Sequence, residues 1–241
     1  MEEPNEFTES GQPIYRHGES KHEFEPAIGD SENIERISAH IREHIGEPAT
    51  VFHEILSHLV HIDVHIVAPT EARPFYSLIT SGMSDRPMDA PEGCEKARYA
   101  ELMICLPADW PMTEEDWKDE ANYWPIETLK FLARMPHEYD TWLSLDHTVP
   151  NGDPPENFGT SNFCCAFIGP ANTAPKEFWQ LQIDEEKTIT FFGVHLIYLE
   201  EMEMKMKKGA EAVWELFEKN GVTELLDINR KNVAKKRFGF F

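Results

Sequence analysis

The 241-residue chain has no apolar run approaching the roughly 18 residues that cross a bilayer, so no membrane helix is expected. Its opening segment, MEEPNEFTES, has neither the basic n-region nor the apolar h-region of a secretory signal, and the chain is expected in the cytoplasm. Cysteine is scarce: Cys94, Cys105, Cys164 and Cys165 include one adjacent pair and no C-x-x-C, which suits neither a disulfide framework nor a thiolate zinc site. They are expected as reduced thiols in or near the core. There is no G-x-S-x-G elbow, no P-loop and no dinucleotide fingerprint, and neither Cys164 nor Cys165 lies in a catalytic cysteine context. Nothing calls for a cofactor. Basic residues are also few, 22 Lys and Arg against 44 Asp and Glu, giving a formal charge of −22 that repels nucleic acid and anionic lipid alike. A macromolecular partner is therefore expected to be a basic protein.

A hydrophobic content of 41% is enough for a real core. The charge is uneven: residues 1–30 hold eight acids and two bases, whereas Arg230, Lys231, Lys235, Lys236 and Arg237 crowd the end. That basic tail is expected to be able to dock on the acidic body, and residues 1–12 are expected as a disordered lead-in to a domain over 13–241.

Periodicity predicts a helix over 31–45, capped by Asp30 or Ser31, with Ile34, Ile37, Ile41 and Ile45 on one face and Gly46 at its end. Extended segments are predicted at 50–56, 60–67, 74–80 and 99–106. In the last, Ala100, Leu102, Ile104 and Leu106 alternate with a face carrying Glu101. Thr113 with Glu114, Glu115 and Asp116 reads as an acidic helix start, and Trp124-Pro125 as the opening of a second helix that ends at Pro136. Residues 147–160 form the strongest loop signal. Strands at 162–168 and 188–199 and a helix over 200–219, stopped by Asn220-Gly221, follow. The order lacks regular βαβ alternation, so the predicted class is α+β, a single mixed α/β domain with a largely antiparallel or mixed sheet packed by helices.

Two clusters carry possible metal chemistry. His40-Ile41-Arg42-Glu43-His44 fits H-x-x-E-H, which puts both imidazoles on one helix face with Glu43 placed to act as a base in a metal-dependent hydrolase. The Ile34/Ile37/Ile41/Ile45 stripe beside them favours ordinary helix residues instead. His61, Asp63 and His65 share one strand face about 7 Å apart, which holds a divalent metal only if another element supplies further ligands, and a polar sheet face is the commoner outcome for a single strand. No metal site is assigned. Met202, Met204 and Met206 recur every second residue and cannot share one helix face.

Several segments in series resemble the Suppressor of Fused domain family. They are Val51-Phe52-His53-Glu54-Ile55 through His61-Ile62-Asp63-Val64; Thr80-Ser81-Gly82-Met83-Ser84; Tyr99-Ala100-Glu101-Leu102 with Leu106-Pro107 and Asp109-Trp110; Tyr123-Trp124-Pro125 with Leu132-Ala133-Arg134; Asp146-His147-Thr148; and Leu199-Glu200-Glu201 leading to Gly209. The resemblance implies a single mixed domain that binds protein and is not an enzyme. The animal member restrains zinc-finger transcription factors and has a second domain, whereas bacterial single-domain members are taken to act as immunity proteins in toxin systems. A bacterial immunity protein that neutralises a basic cognate toxin is the expected function, with a regulatory binding protein acting on another partner, or the hydrolase above, as alternatives. Gly82, Met83, Ser84 and Asp85 with Glu101, then Asp146 and His147, are the expected partner contacts, because shaped loops carry function more often than cores do.

Overall fold

The computed structural model describes residue 4 and residues 6–235. Along the chain lie β1 (Glu6–Phe7), β2 (Pro13–Ile14), α1 (Ser31–His44), β3 (Pro48–Phe52), β4 (Asp63–Val67), β5 (Phe75–Ser81) and β6 (Ala100–Pro107). They are followed by α2 (Glu120–Glu138), β7 (Thr148–Pro150), β8 (Cys165–Pro170), β9 (Gln180–Gln182), β10 (Thr188–Ile197), α3 (Leu199–Lys208) and α4 (Ala210–Asn220). An eight-stranded sheet runs in the order β3-β4-β5-β6-β10-β8-β7, with β9 also paired to β10. Only β6 and β10 are parallel within it, so the sheet is mixed, and the α+β class expected from the sequence is the one observed.

Helices cover both faces of the sheet. Leu102 and Ile104 of β6, with Val194 of β10, pack against Leu129 and Leu132 of α2. Met103 and Cys105, pointing the other way, share a second core with Ile37 and Ile41 of α1. Farther along that face, Phe167 and Ile197 meet Met202, Val213 and Phe217 of α3 and α4. With apolar layers above and below, β4 and most of β6 are buried at every position, as expected for strands covered on both sides.

Local chemistry explains most boundaries. The Asp30 carboxylate accepts from the N–H groups of Glu32 and Asn33 at 3.0 and 3.2 Å, which starts α1. Contrary to the reading of Trp124-Pro125 as a start, α2 begins at Glu120, capped by Asp119, and carries Pro125 and Pro136 inside it. The expected helix over 200–219 is two helices, because Gly209 (φ 87, ψ 169) breaks the chain between α3 and α4. Residues 53–56, read as strand, leave the sheet, and the 147–160 loop contains β7.

In the segment read as a lead-in, β1 pairs with β2, and the Ser10 N–H donates to the Met206 carbonyl at 3.0 Å. At the other end, the Arg230 guanidinium reaches both oxygens of buried Glu201 at 2.7 and 2.5 Å. It also lies over the rings of Phe163 and Tyr198 at 4.8 and 4.9 Å. Lys236 and Arg237 lie outside the described residues.

Ile41 is fully buried between α1 and the sheet. Ile41→Ala is expected to lower unfolding free energy by about 2–5 kcal/mol, whereas Leu145→Ala, at an exposed position, is expected to change it by less than about 0.5 kcal/mol. Urea denaturation measures both.

Candidate functional site

The turn after β5 is built around one carboxylate. Glu101 is completely buried, and its Oε1 accepts from the Gly82 N–H (3.0 Å), the Ser84 N–H (2.9 Å) and the Ser84 hydroxyl (2.6 Å). Its Oε2 accepts from the Thr80 hydroxyl at 2.6 Å, and Thr80 Oγ1 in turn accepts from the Leu102 N–H at 2.8 Å. Burial lifts the Glu101 carboxyl to about 7, against the pull of these donors. Gly82 adopts φ 107, and a Cβ there would meet the His61 carbonyl oxygen at 1.8 Å, so only glycine fits.

The other residues of this turn also look inward. Met83 is fully buried and its carbonyl accepts from His137 Nε2 at 2.9 Å. Burial lowers His137 to about 4. Asp85, partly exposed, accepts from the Asp30 N–H at 3.0 Å and from Asn33 Nδ2 at 2.7 Å, fastening the turn to the start of α1. Burial raises its carboxyl above the ordinary value. Gly82, Met83, Ser84 and Glu101, expected as contacts, are thus all buried.

Asp146 and His147 are placed elsewhere. Asp146 is exposed, has φ 68, and accepts from Trp214 Nε1 at 2.6 Å. Its N–H donates to the Ile168 carbonyl of β8 at 2.9 Å, which seats it two strands from β6, roughly 10 Å across the sheet. His147 packs edge-on against Trp142 at 4.6 Å, and burial, with Lys205 nearby, lowers it to about 4. The structure does not bring this pair to Glu101.

The two histidine motifs are also committed internally. His40 is buried between Phe178 and Phe191, at 5.2 Å from each ring, and its Nε2 donates to the Phe178 carbonyl at 2.9 Å. Desolvation lowers its pKa, and Glu43 is left exposed. That ring is aimed into the core, away from any water a metal would activate. Of His61, Asp63 and His65 the first two meet, although His61 precedes β4: buried Asp63 lies 3.0 Å from His53 Nδ1 and 3.1 Å from His61 Nε2, and His61 Nδ1 is 2.7 Å from Ser57 Oγ. His65 instead bonds Ser81 Oγ at 2.9 Å, and burial takes it to about 4. Among the described residues no group of three His, Cys, Asp or Glu side chains has metal-binding geometry.

Sequence reading missed a neighbouring ion cluster. Glu54, largely buried, meets Arg134 at 2.6 Å and Lys130 at 3.0 Å. Burial opposes its ionisation, yet these cations hold its pKa below the ordinary value. The two bases sit one turn apart on α2, a legible signal, but nothing in the spacing links them to Glu54.

Two outcomes follow for the Glu101 turn. Gly82→Ala is expected to cost about 3 kcal/mol or more in urea unfolding, from backbone strain and the clash with His61. Because Glu101 is raised from 4.5 to about 7 in the folded chain, its contribution is full below about pH 4.5 and declines as pH rises to about 7. Wild type should therefore lose stability relative to Glu101→Gln across that window and run parallel to it above, in unfolding curves taken at a series of pH values.

Comparison with known proteins gives a consistent answer. The Suppressor of fused protein (SUFU) family profile matches residues 58–231. A SUFU homologue from Neisseria gonorrhoeae FA 1090 superposes with a TM-score of 0.59 at 20% identity, over 86% of this chain and 100% of that one. The Sufu–Fu complex gives 0.57 at 14% identity, over 87% and 93%. Drosophila Suppressor of Fused gives 0.54 at 13% identity, over 83% of this chain and 50% of the fly protein. No curated protein sequence matches. At these identities the superpositions speak for the fold, and the profile, spanning most of the chain, places this protein in the Suppressor of fused (SUFU) family.

Proposed function

We propose that this chain is a non-enzymatic protein-binding module that acts as a bacterial immunity protein, neutralising a cognate toxin through its acidic surface. The observation that carries the reading is where the acid sits. The carboxylates and imidazoles with chemical potential, Glu101, Asp63 and His40, are taken up by internal partners, while Glu19, Glu23, Glu35 and Glu43 stand exposed on a chain of net charge −22. A toxin that cleaves nucleic acid needs a basic surface for phosphate, and an acidic inhibitor is steered to that surface and covers it. Asp85, Asp146 and His147, which reach solvent at least in part, are the proposed contacts, with Gly82, Met83, Ser84 and Glu101 holding the loop behind Asp85 in shape.

A fold shared with a protein in the Sufu–Fu complex supports a second reading, regulation of a partner that is not a toxin. Both readings are of a binding module. Among the described residues no helix is long and apolar enough to cross a membrane, which agrees with a partner met in solution.

Co-expression of the chain with each polypeptide encoded beside its gene separates the two. Immunity predicts that one neighbour arrests growth alone, that this chain restores growth, and that their complex weakens at least about tenfold between low and physiological salt. A neighbour that binds without toxicity supports regulation instead. Recovery of no specific polypeptide at low salt, with the neighbouring products present, counts against both.

A further inference from the structure

A two-stranded ribbon outside the main sheet carries a row of apolar side chains left exposed among the described residues. Pro26 and His58 form an antiparallel bridge, the Ala27 N–H donates to the Ser57 carbonyl at 3.2 Å, and the Leu59 N–H donates to the Glu25 carbonyl at 3.0 Å. That register sets Ile28 opposite Leu56, and the two-residue period puts Phe24, Pro26 and Ile28 on the same face as Leu56 and His58. Burial follows this parity between Leu56 and Leu59 and departs from it outside: beyond Leu59 (φ 64) Val60 turns inward and is buried, and before Leu56 the ribbon ends at Ile55. Ser57 and Leu59 point inward and are buried, whereas Phe24 is 58% exposed, Leu56 73% and Ile28 96%. Phe24 stacks on the His58 ring at 5.5 Å, so the row is ordered, and Ile55, beside Leu56, is fully exposed.

Isolated exposed apolar residues need no explanation, but a contiguous row on one ribbon does. Its rim is acidic. Flanking the ribbon in the chain, Glu19, Glu23 and Glu35 stand exposed, while Glu25 pairs with Arg86, Glu32 pairs with Arg36 and Asp30 caps α1. This rim repels anionic lipid and nucleic acid, and it repels the same rim on a second copy. A polypeptide segment carrying both cations and large apolar side chains satisfies row and rim together. Glu54, next in the chain to Ile55, is tied to α2 by Lys130 and Arg134.

We infer that the exposed apolar patch formed by Phe24, Pro26, Ile28 and Leu56, with Ile55 at its end, is a docking surface for a basic polypeptide segment with aromatic or aliphatic anchors. The inference rests on the protein-binding reading above and adds to it a place on the molecule distinct from the turn at Asp85 and from Asp146. Apolar side chains supply the anchor, and the acidic rim supplies steering and selects against acidic segments.

The test uses the full chain and three fluorescent dodecamer peptides composed of lysine and phenylalanine, lysine and serine, or glutamate and phenylalanine. The comparison variant is Ile55→Ser with Leu56→Ser, both at exposed positions, with folding checked by an unchanged thermal midpoint. The lysine–phenylalanine peptide should bind wild type at least about tenfold more tightly than either other peptide, and the double variant should reduce it to the level of lysine–serine. Equal binding of the two lysine peptides, or binding that survives the double substitution, overturns the surface. So does a wild-type dimer in sedimentation that the variant loses, which would make the occupant a second copy. A natural partner that binds the double variant as tightly as wild type sinks this surface while leaving the protein-binding reading intact.

Discussion

The fold turns on a buried carboxyl group. Glu101 enters the core from β6, and its two oxygens gather four donors from Thr80, Gly82 and Ser84 at the end of β5 and in the turn beyond. A carboxyl group in so dry a place is costly unless its oxygens are satisfied, and the Gly82 and Ser84 N–H groups with the Thr80 and Ser84 hydroxyls satisfy them. The turn is thereby pinned in a conformation only glycine tolerates at position 82. Once pinned, it sets Asp85 against Asp30 and Asn33 and the Met83 carbonyl against His137, so one carboxylate aligns β5, β6, α1 and α2.

Other buried polar groups follow the same economy. Asp63 is held by His53 and His61, Glu54 by Lys130 and Arg134, and Glu201 by Arg230. The Glu54 and Glu201 pairs join elements distant in sequence, and each fixes geometry more surely than it adds stability, because desolvation offsets much of the attraction of a buried pair. With these charges matched inside, the net charge of the molecule is carried mainly by its surface.

Much of this architecture was legible in residue order. The isoleucine stripe of α1, the alternation in β6 and the turn glycine at 82 each announced their element, because the signals are local. The errors also have local causes overridden by tertiary ones. Pro125 suggested a helix start, but Asp119 caps α2 a turn and a half earlier and packing of Trp124 and Leu129 carries the helix past the proline. Gly209 looked tolerable within one helix, but the chain bends there so that α3 and α4 can both cover Phe167 and Ile197.

The same division applies to function. Sequence alone determined that the chain is acidic, that it lacks an assembled catalytic motif, and which family it resembles, since these depend on residue identity and order. Whether a polar residue faces a partner or the core depends on what packs over it. Only the tertiary structure decided that Glu101, Ser84 and His40 are internal and that Asp146 sits apart from the Glu101 turn. It also decided that Phe24, Ile28, Ile55 and Leu56 stand together in water, because a backbone ribbon joins segments some thirty residues apart whose pairing no local period encodes.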